Sequence, residues 1–109
     1  DIKPGSDTNP INPNSRGKIP VAILSTADFD APAMVDASSL TVGPTGDESS
    51  LAFCNDGPED VNGDGLLDLV CHFHTQGTGF QVGDLEGILK GMTIEGIPLD
   101  GQDKVKILK

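Results

Sequence analysis

The chain contains no Trp and no Tyr, only four Phe, two Cys and two His, and seven basic side chains against seventeen acidic ones. Each shortage closes off a class of function. Sugar-binding faces usually stack on Trp or Tyr, so without them glycan recognition would have to be polar or mediated by an ion. A formal charge of -10 repels nucleic acid and anionic membrane surfaces, which excludes polyanionic partners. No apolar run approaches membrane-spanning length and no basic, apolar leader opens the chain, so membrane insertion is not expected either.

The residues that carry catalysis are also scarce. Ser25, Ser38, Ser39, Ser49 and Ser50 stand in no nucleophile-elbow pattern, and no Gly-rich stretch matches a phosphate loop or dinucleotide fingerprint. His72 and His74 lie at a spacing that zinc enzymes also use. With no third His, a zinc centre would need a carboxylate ligand and an open position, and exposed strand histidines are the simpler reading. The expectation is a protein that is not an enzyme.

What is abundant is turn chemistry. Fourteen Gly and eight Pro punctuate the 109 residues, and thirteen of the seventeen acids are Asp, a residue of loops rather than helix faces. The length fits a single domain, residues 1–109. Short alternating runs between turns predict an all-β fold, an antiparallel β-sandwich of about seven short strands.

A short strand is expected at Asp1–Lys3, then a long ordered loop from Ser6 to Gly17. KIPVAILST, with Ile19, Val21 and Ile23 on one face, reads as the central strand. Around Pro32 the pattern allows at most a helical turn, with Asp36 or Ser38 as a cap. SLTVG and SLAFC suit a hairpin across Gly43–Asp47. In LDLVCHFHT, Leu69, Cys71 and Phe73 share the core face, while Val70, His72 and His74 share the other. FQV and EGILKGMTIEG follow as strand candidates. Finally DKVKILK sets Val105 and Ile107 against Lys104, Lys106 and Leu108.

One stretch concentrates negative charge: EDVNGDGLLDLVCHF, Glu59–Phe73. Carboxylates this close repel unless solvent separates them or a cation holds them together. From Asp60 the chain offers side-chain oxygens at Asp60, Asn62, Asp64 and Asp68, a backbone carbonyl at Leu66, and a glycine at 65 where a sharp turn is needed. Hard oxygen donors without imidazole or thiolate favour Ca²⁺ over Mg²⁺ or Zn²⁺. The alternative is a solvated, Asx-rich turn, because Asn-Gly and Asp-Gly are also hairpin signals.

These residues resemble the calcium loops of EF-hand proteins, and more closely the D-x-N-x-D-G-x-x-D loops of dockerin, thrombospondin type 3 and related secreted bacterial repeats. The resemblance covers nine residues and implies ligation by Asp60, Asn62, Asp64 and Asp68 with the Leu66 carbonyl. Where an EF-hand places a bidentate Glu, this chain has Cys71, so Asp56, Glu59 or a water would complete the shell. More widely, DIKPGS and GKIPVAIL followed by EDVNGDGLLDLV resemble a module of secreted and surface proteins of bacteria and archaea.

Cys54 and Cys71 flank the acidic loop, 17 positions apart. A disulfide between them would lock the strands on either side of an ion, and its existence would imply an oxidising, extracellular setting; two buried thiols in a reducing compartment are the other possibility. Two functional classes follow as expectations. One is a secreted structural or adhesive module whose partners are copies of itself, as in a fibre or surface layer, or neighbouring extracellular domains. The other is a calcium-dependent carbohydrate-binding module of a secreted hydrolase, with a glycan as partner.

Overall fold

In a computed structural model, described here for residues 1–3 and 9–108, the chain forms an all-β, antiparallel sandwich. The order is β1 (Pro10–Ile11), β2 (Lys18–Ile23), α1 (Ala31–Met34), β3 (Val35–Gly43), β4 (Leu51–Cys54), β5 (Leu69–His74), α2 (Thr75–Thr78), β6 (Glu86–Thr93), β7 (Pro98–Lys104) and β8 (Lys106–Ile107). One sheet runs β2-β5-β4 and the other β3-β6-β7; β1 and β8 form a separate short parallel pair.

The core follows the alternation of the strands. Ile19 and Val21 of β2 lie opposite Phe73 and Cys71 of β5, and all four are buried, as are Leu40 and Val42 of β3. Burying an aliphatic or aromatic side chain of this size stabilises a fold by about 1.5–3 kcal/mol, so these positions fix the register of both sheets. The last segment keeps the expected pattern: Val105 and Ile107 are buried, and Leu108 is partly exposed. Among the described residues no helix is long and apolar enough to cross a membrane.

Several local expectations are corrected. The central strand of the first sheet is β5, not β2, because β5 is apolar on both sides through Leu69, Val70, Cys71 and Phe73. Asp1–Lys3 makes only an isolated bridge, Ile2 to Val21, on the outer side of β2. The segment from Ser6 to Gly17 contains β1, with Ile11 buried against Ile107; Ser6–Thr8 lie outside the described residues. Asp36 and Ser38 are strand residues of β3, and the helical turn is preceded instead by Asp30.

The SLTVG and SLAFC strands do not pair as a hairpin. β3 bonds to β6 while β4 bonds to β5, so their connection passes from one sheet to the other. Phe80 is buried but lies outside any strand, after the α2 turn. Residues 98–104, which carry Pro98, Gly101 and two Asp, form β7, an edge strand of the second sheet, where proline and charge are tolerated.

The glycines of β6 do not interrupt it. A Cβ on Gly87 would sit 2.6 Å from Ile2 Cδ1 and 3.1 Å from Phe80 Cζ, so the missing side chain is what lets these residues pack over the strand.

Candidate metal centre

The acidic loop is the connection between β4 and β5, two antiparallel neighbours, and it is clasped at its base three times. Cys54 and Cys71 are directly opposed in the ladder and joined by a disulfide. Beyond them Asn55 N–H donates to the Val70 carbonyl (2.8 Å). Further out, Glu59 and Asp68 form an isolated antiparallel bridge through both backbone N–H groups (3.2 and 2.8 Å). Residues 60–67 are the remaining tip, and their geometry is set by side-chain oxygens rather than a ladder.

Asp60 organises that tip. Its Oδ1 accepts N–H bonds from Gly63 (2.8 Å) and Asp64 (3.2 Å), and its Oδ2 accepts one from Gly65 (2.9 Å). These donors, Gly65 foremost, outweigh desolvation and hold the Asp60 carboxyl below its ordinary range. Gly63 and Gly65 have φ of 74° and 85°, the left-handed conformation that glycine adopts without strain and that wraps these amides around the carboxylate. Asp64 Oδ1 in turn accepts the Leu66 N–H (2.9 Å).

Asp68 differs from its neighbours in being fully buried. Its Oδ1 accepts the Ser25 N–H at 2.8 Å, and its Oδ2 accepts the Val61 N–H at 3.1 Å. Ligand oxygens of Asp60, Asp64 and Asp68 lie within 4.8 Å of one another, an arrangement that could hold a metal ion. Among the described residues no basic side chain neutralises them: the salt bridge there is Lys90–Asp47, at 3.1 Å and elsewhere on the surface. A buried carboxylate beside two others is costly unless a cation joins it, and the positive charge that acts on Asp68 among the described residues is the Asp1 ammonium, which Asp103 attracts more strongly.

Asn62 bears on the same question. Its side-chain amide lies 3.0 Å from Asp60 Oδ1 and 3.0 Å from Asp64 Oδ1. With nitrogen facing them it donates to both carboxylates. With oxygen facing them it would add a fourth oxygen to the cluster, which is favourable only around a cation. The donor set, oxygen throughout, therefore fits a hard metal ion.

Asp56 and Glu59 are exposed and lie outside the converging group; Glu59 contributes through its backbone bridge. His72 is engaged elsewhere, with Nε2 2.9 Å from Asn55 Oδ1 and its ring stacked on Phe53 at a centroid separation of 4.6 Å. His74 is exposed at the end of β5.

Ser25 is the residue that the sequence pattern does not reveal. It is buried, and besides bonding Asp68 its hydroxyl donates to the Leu67 carbonyl (2.7 Å) and accepts the Ala31 N–H (2.9 Å). One small side chain thereby joins the end of β2, the start of α1 and the acidic loop.

No family model matches the chain, and neither a curated protein nor a solved structure proved similar to it.

Proposed function

We propose that this chain is a secreted, non-enzymatic module whose residue 60–68 loop binds Ca²⁺, and that it serves as a structural or adhesive unit. The observation that carries the reading is the convergence of Asp60, Asp64 and fully buried Asp68, with no basic side chain paired to them among the described residues. Calcium suits this loop because it accepts flexible coordination by carboxylate, amide and carbonyl oxygens, whereas Mg²⁺ demands tight octahedral geometry. Asp60, Asn62, Asp64, the Leu66 carbonyl and Asp68 are the proposed ligands. The ion would fix the loop against Ser25 and the β2–α1 corner, giving rigidity rather than chemistry.

The Cys54–Cys71 disulfide fits an extracellular protein, where such bonds persist. A charge of -10 keeps copies apart in the absence of a divalent cation, so calcium would also favour association with other copies or neighbouring extracellular domains, in a fibre or surface layer. Isothermal titration with CaCl₂ and MgCl₂, followed by sedimentation across protein concentration, tests both steps. Saturable binding that prefers calcium supports the metal reading. A monomer at every concentration and calcium level removes the self-assembly part.

A second reading, a calcium-dependent glycan-binding module, has one observation in its favour. Phe53 is 50% exposed and stacks on His72 beside Asn55, so an aromatic ring and polar groups share the outer face of the first sheet. Calcium-dependent retention on a glycan array, abolished by Phe53→Ala, would favour this reading over the structural one.

A further inference from the structure

The geometry points to the Asn62–Gly63 peptide as a site of spontaneous modification, deamidation through a succinimide, that the Asp60 carboxylate holds in check. It is the one Asn-Gly pair in the chain, and both residues are exposed. A glycine on the C-terminal side leaves the reacting nitrogen unshielded, and a Cβ on Gly63 would meet nothing within 4 Å.

In the reaction the Gly63 amide nitrogen loses its proton and attacks Asn62 Cγ. The new N–Cγ bond closes the ring, the Cγ–Nδ2 bond breaks, and Nδ2 leaves as ammonia after taking up a proton. Water then adds to either ring carbonyl, and ring opening leaves aspartate or isoaspartate at position 62. Water is the one co-reactant.

Asp60 restrains both reacting groups. Its Oδ1 accepts the Gly63 N–H at 2.8 Å, and the same oxygen lies 3.0 Å from the Asn62 amide. The Gly63 N–H lies in a hydrogen bond to Asp60, and that bond must break before the nitrogen can turn onto Asn62 Cγ. The folded loop thus protects a dipeptide that would react freely in an extended chain. These hydrogen bonds belong to the protein itself, so the inference stands apart from the calcium reading.

The product would change the loop. Aspartate at 62 adds a fourth carboxylate to the cluster, whereas isoaspartate lengthens the backbone by one carbon and shifts which side chains face inward. The modification would therefore age the candidate metal centre in either direction, raising its charge or breaking its spacing.

The test compares wild-type protein, an Asp60→Ala variant and a free peptide covering residues 58–68 at mildly alkaline pH, in CaCl₂ and in chelator. Conversion is read by peptide-mapping mass spectrometry with isoaspartyl methyltransferase labelling. The peptide is expected to convert fastest, wild type at least about tenfold more slowly, with Asp60→Ala regaining most of that factor. Exposed Asn14, followed by Ser15, reports any general loosening in the same digests.

Equal rates in wild type and peptide overturn the inference, as does an Asp60→Ala variant that converts no faster than wild type. So does acceleration at Asn14 equal to that at Asn62. Slower wild-type conversion in calcium than in chelator supports the restraint and the metal reading together. Identical slow rates in the two, with Asp60→Ala still faster, support the restraint and count against calcium alone.

Discussion

The backbone N–H of Ser25 donates to Oδ1 of Asp68 across 2.8 Å, joining residues 43 positions apart in the chain. Asp68 is fully buried at the outer clasp of the β4–β5 connection, so this bond ties the acidic loop to the corner where β2 gives way to α1. Any ion seated at Asp68 would be felt by both elements.

Ser25→Ala keeps that backbone bond but removes the hydroxyl shared by Leu67 and Ala31. The Ala31 N–H would be left buried without its acceptor. Loss of about 2 kcal/mol is expected in urea unfolding at fixed calcium. A Ser25→Thr variant that retains the hydroxyl should recover part of it.

Asp68→Asn keeps nearly the same shape and one acceptor oxygen while removing the charge. If the loop takes a divalent cation, the variant loses most of the calcium-dependent rise in melting temperature. The wild-type rise follows from binding to the folded state alone, about 2.7 kcal/mol at a hundredfold excess of calcium over its dissociation constant. A thermal shift in Asp68→Asn as large as in wild type would remove Asp68 from the ligand set.

Replacing both Cys54 and Cys71 with Ala opens the innermost clasp. The loop they close spans 17 positions, a size for which chain entropy gives about 3 kcal/mol. Chemical denaturation should show that loss, and calcium should restore part of it by holding the loop in its folded geometry. A double variant as stable as wild type would mean that the Asn55–Val70 bond and the Glu59–Asp68 bridge suffice to define the loop.

Asp60 gives a pH prediction. Its folded-state pKa lies below the unfolded value because the N–H groups of Gly65, Gly63 and Asp64 stabilise the carboxylate. The stabilisation is fully present above the unfolded Asp pKa of about 3.9 and is lost as pH falls through the lower folded-state value. Thermal melts in chelator should fall in that acid window, and an Asp60→Asn variant should fall less steeply across it.

The sandwich was legible where apolar side chains recur at every second position, as at Leu69, Cys71 and Phe73, although Val70 between them, expected on the outer face with His72 and His74, is buried as well because β5 is the central strand. β7 was not, because an edge strand bonded on one side can carry Pro98, Gly101 and Asp100 without cost to a ladder. The separation of β3 from β4 was equally hidden: turn residues at 43–47 suit a hairpin and a sheet-to-sheet crossing alike. In the acidic loop the intervals of Asp60, Asp64 and Asp68 are local, so spacing alone identified the residues that converge. Ser25 is brought there only by the fold, and nothing in the residues around it distinguishes it from the other serines.

The most direct measurement is a high-resolution crystal structure of the protein grown in millimolar CaCl₂, with anomalous differences recorded at long wavelength. An anomalous peak is expected among the oxygens of Asp60, Asp64 and Asp68, at the 2.3–2.6 Å typical of calcium–oxygen bonds. A position there with no anomalous signal, at water-like separations of about 2.8 Å, would contradict it.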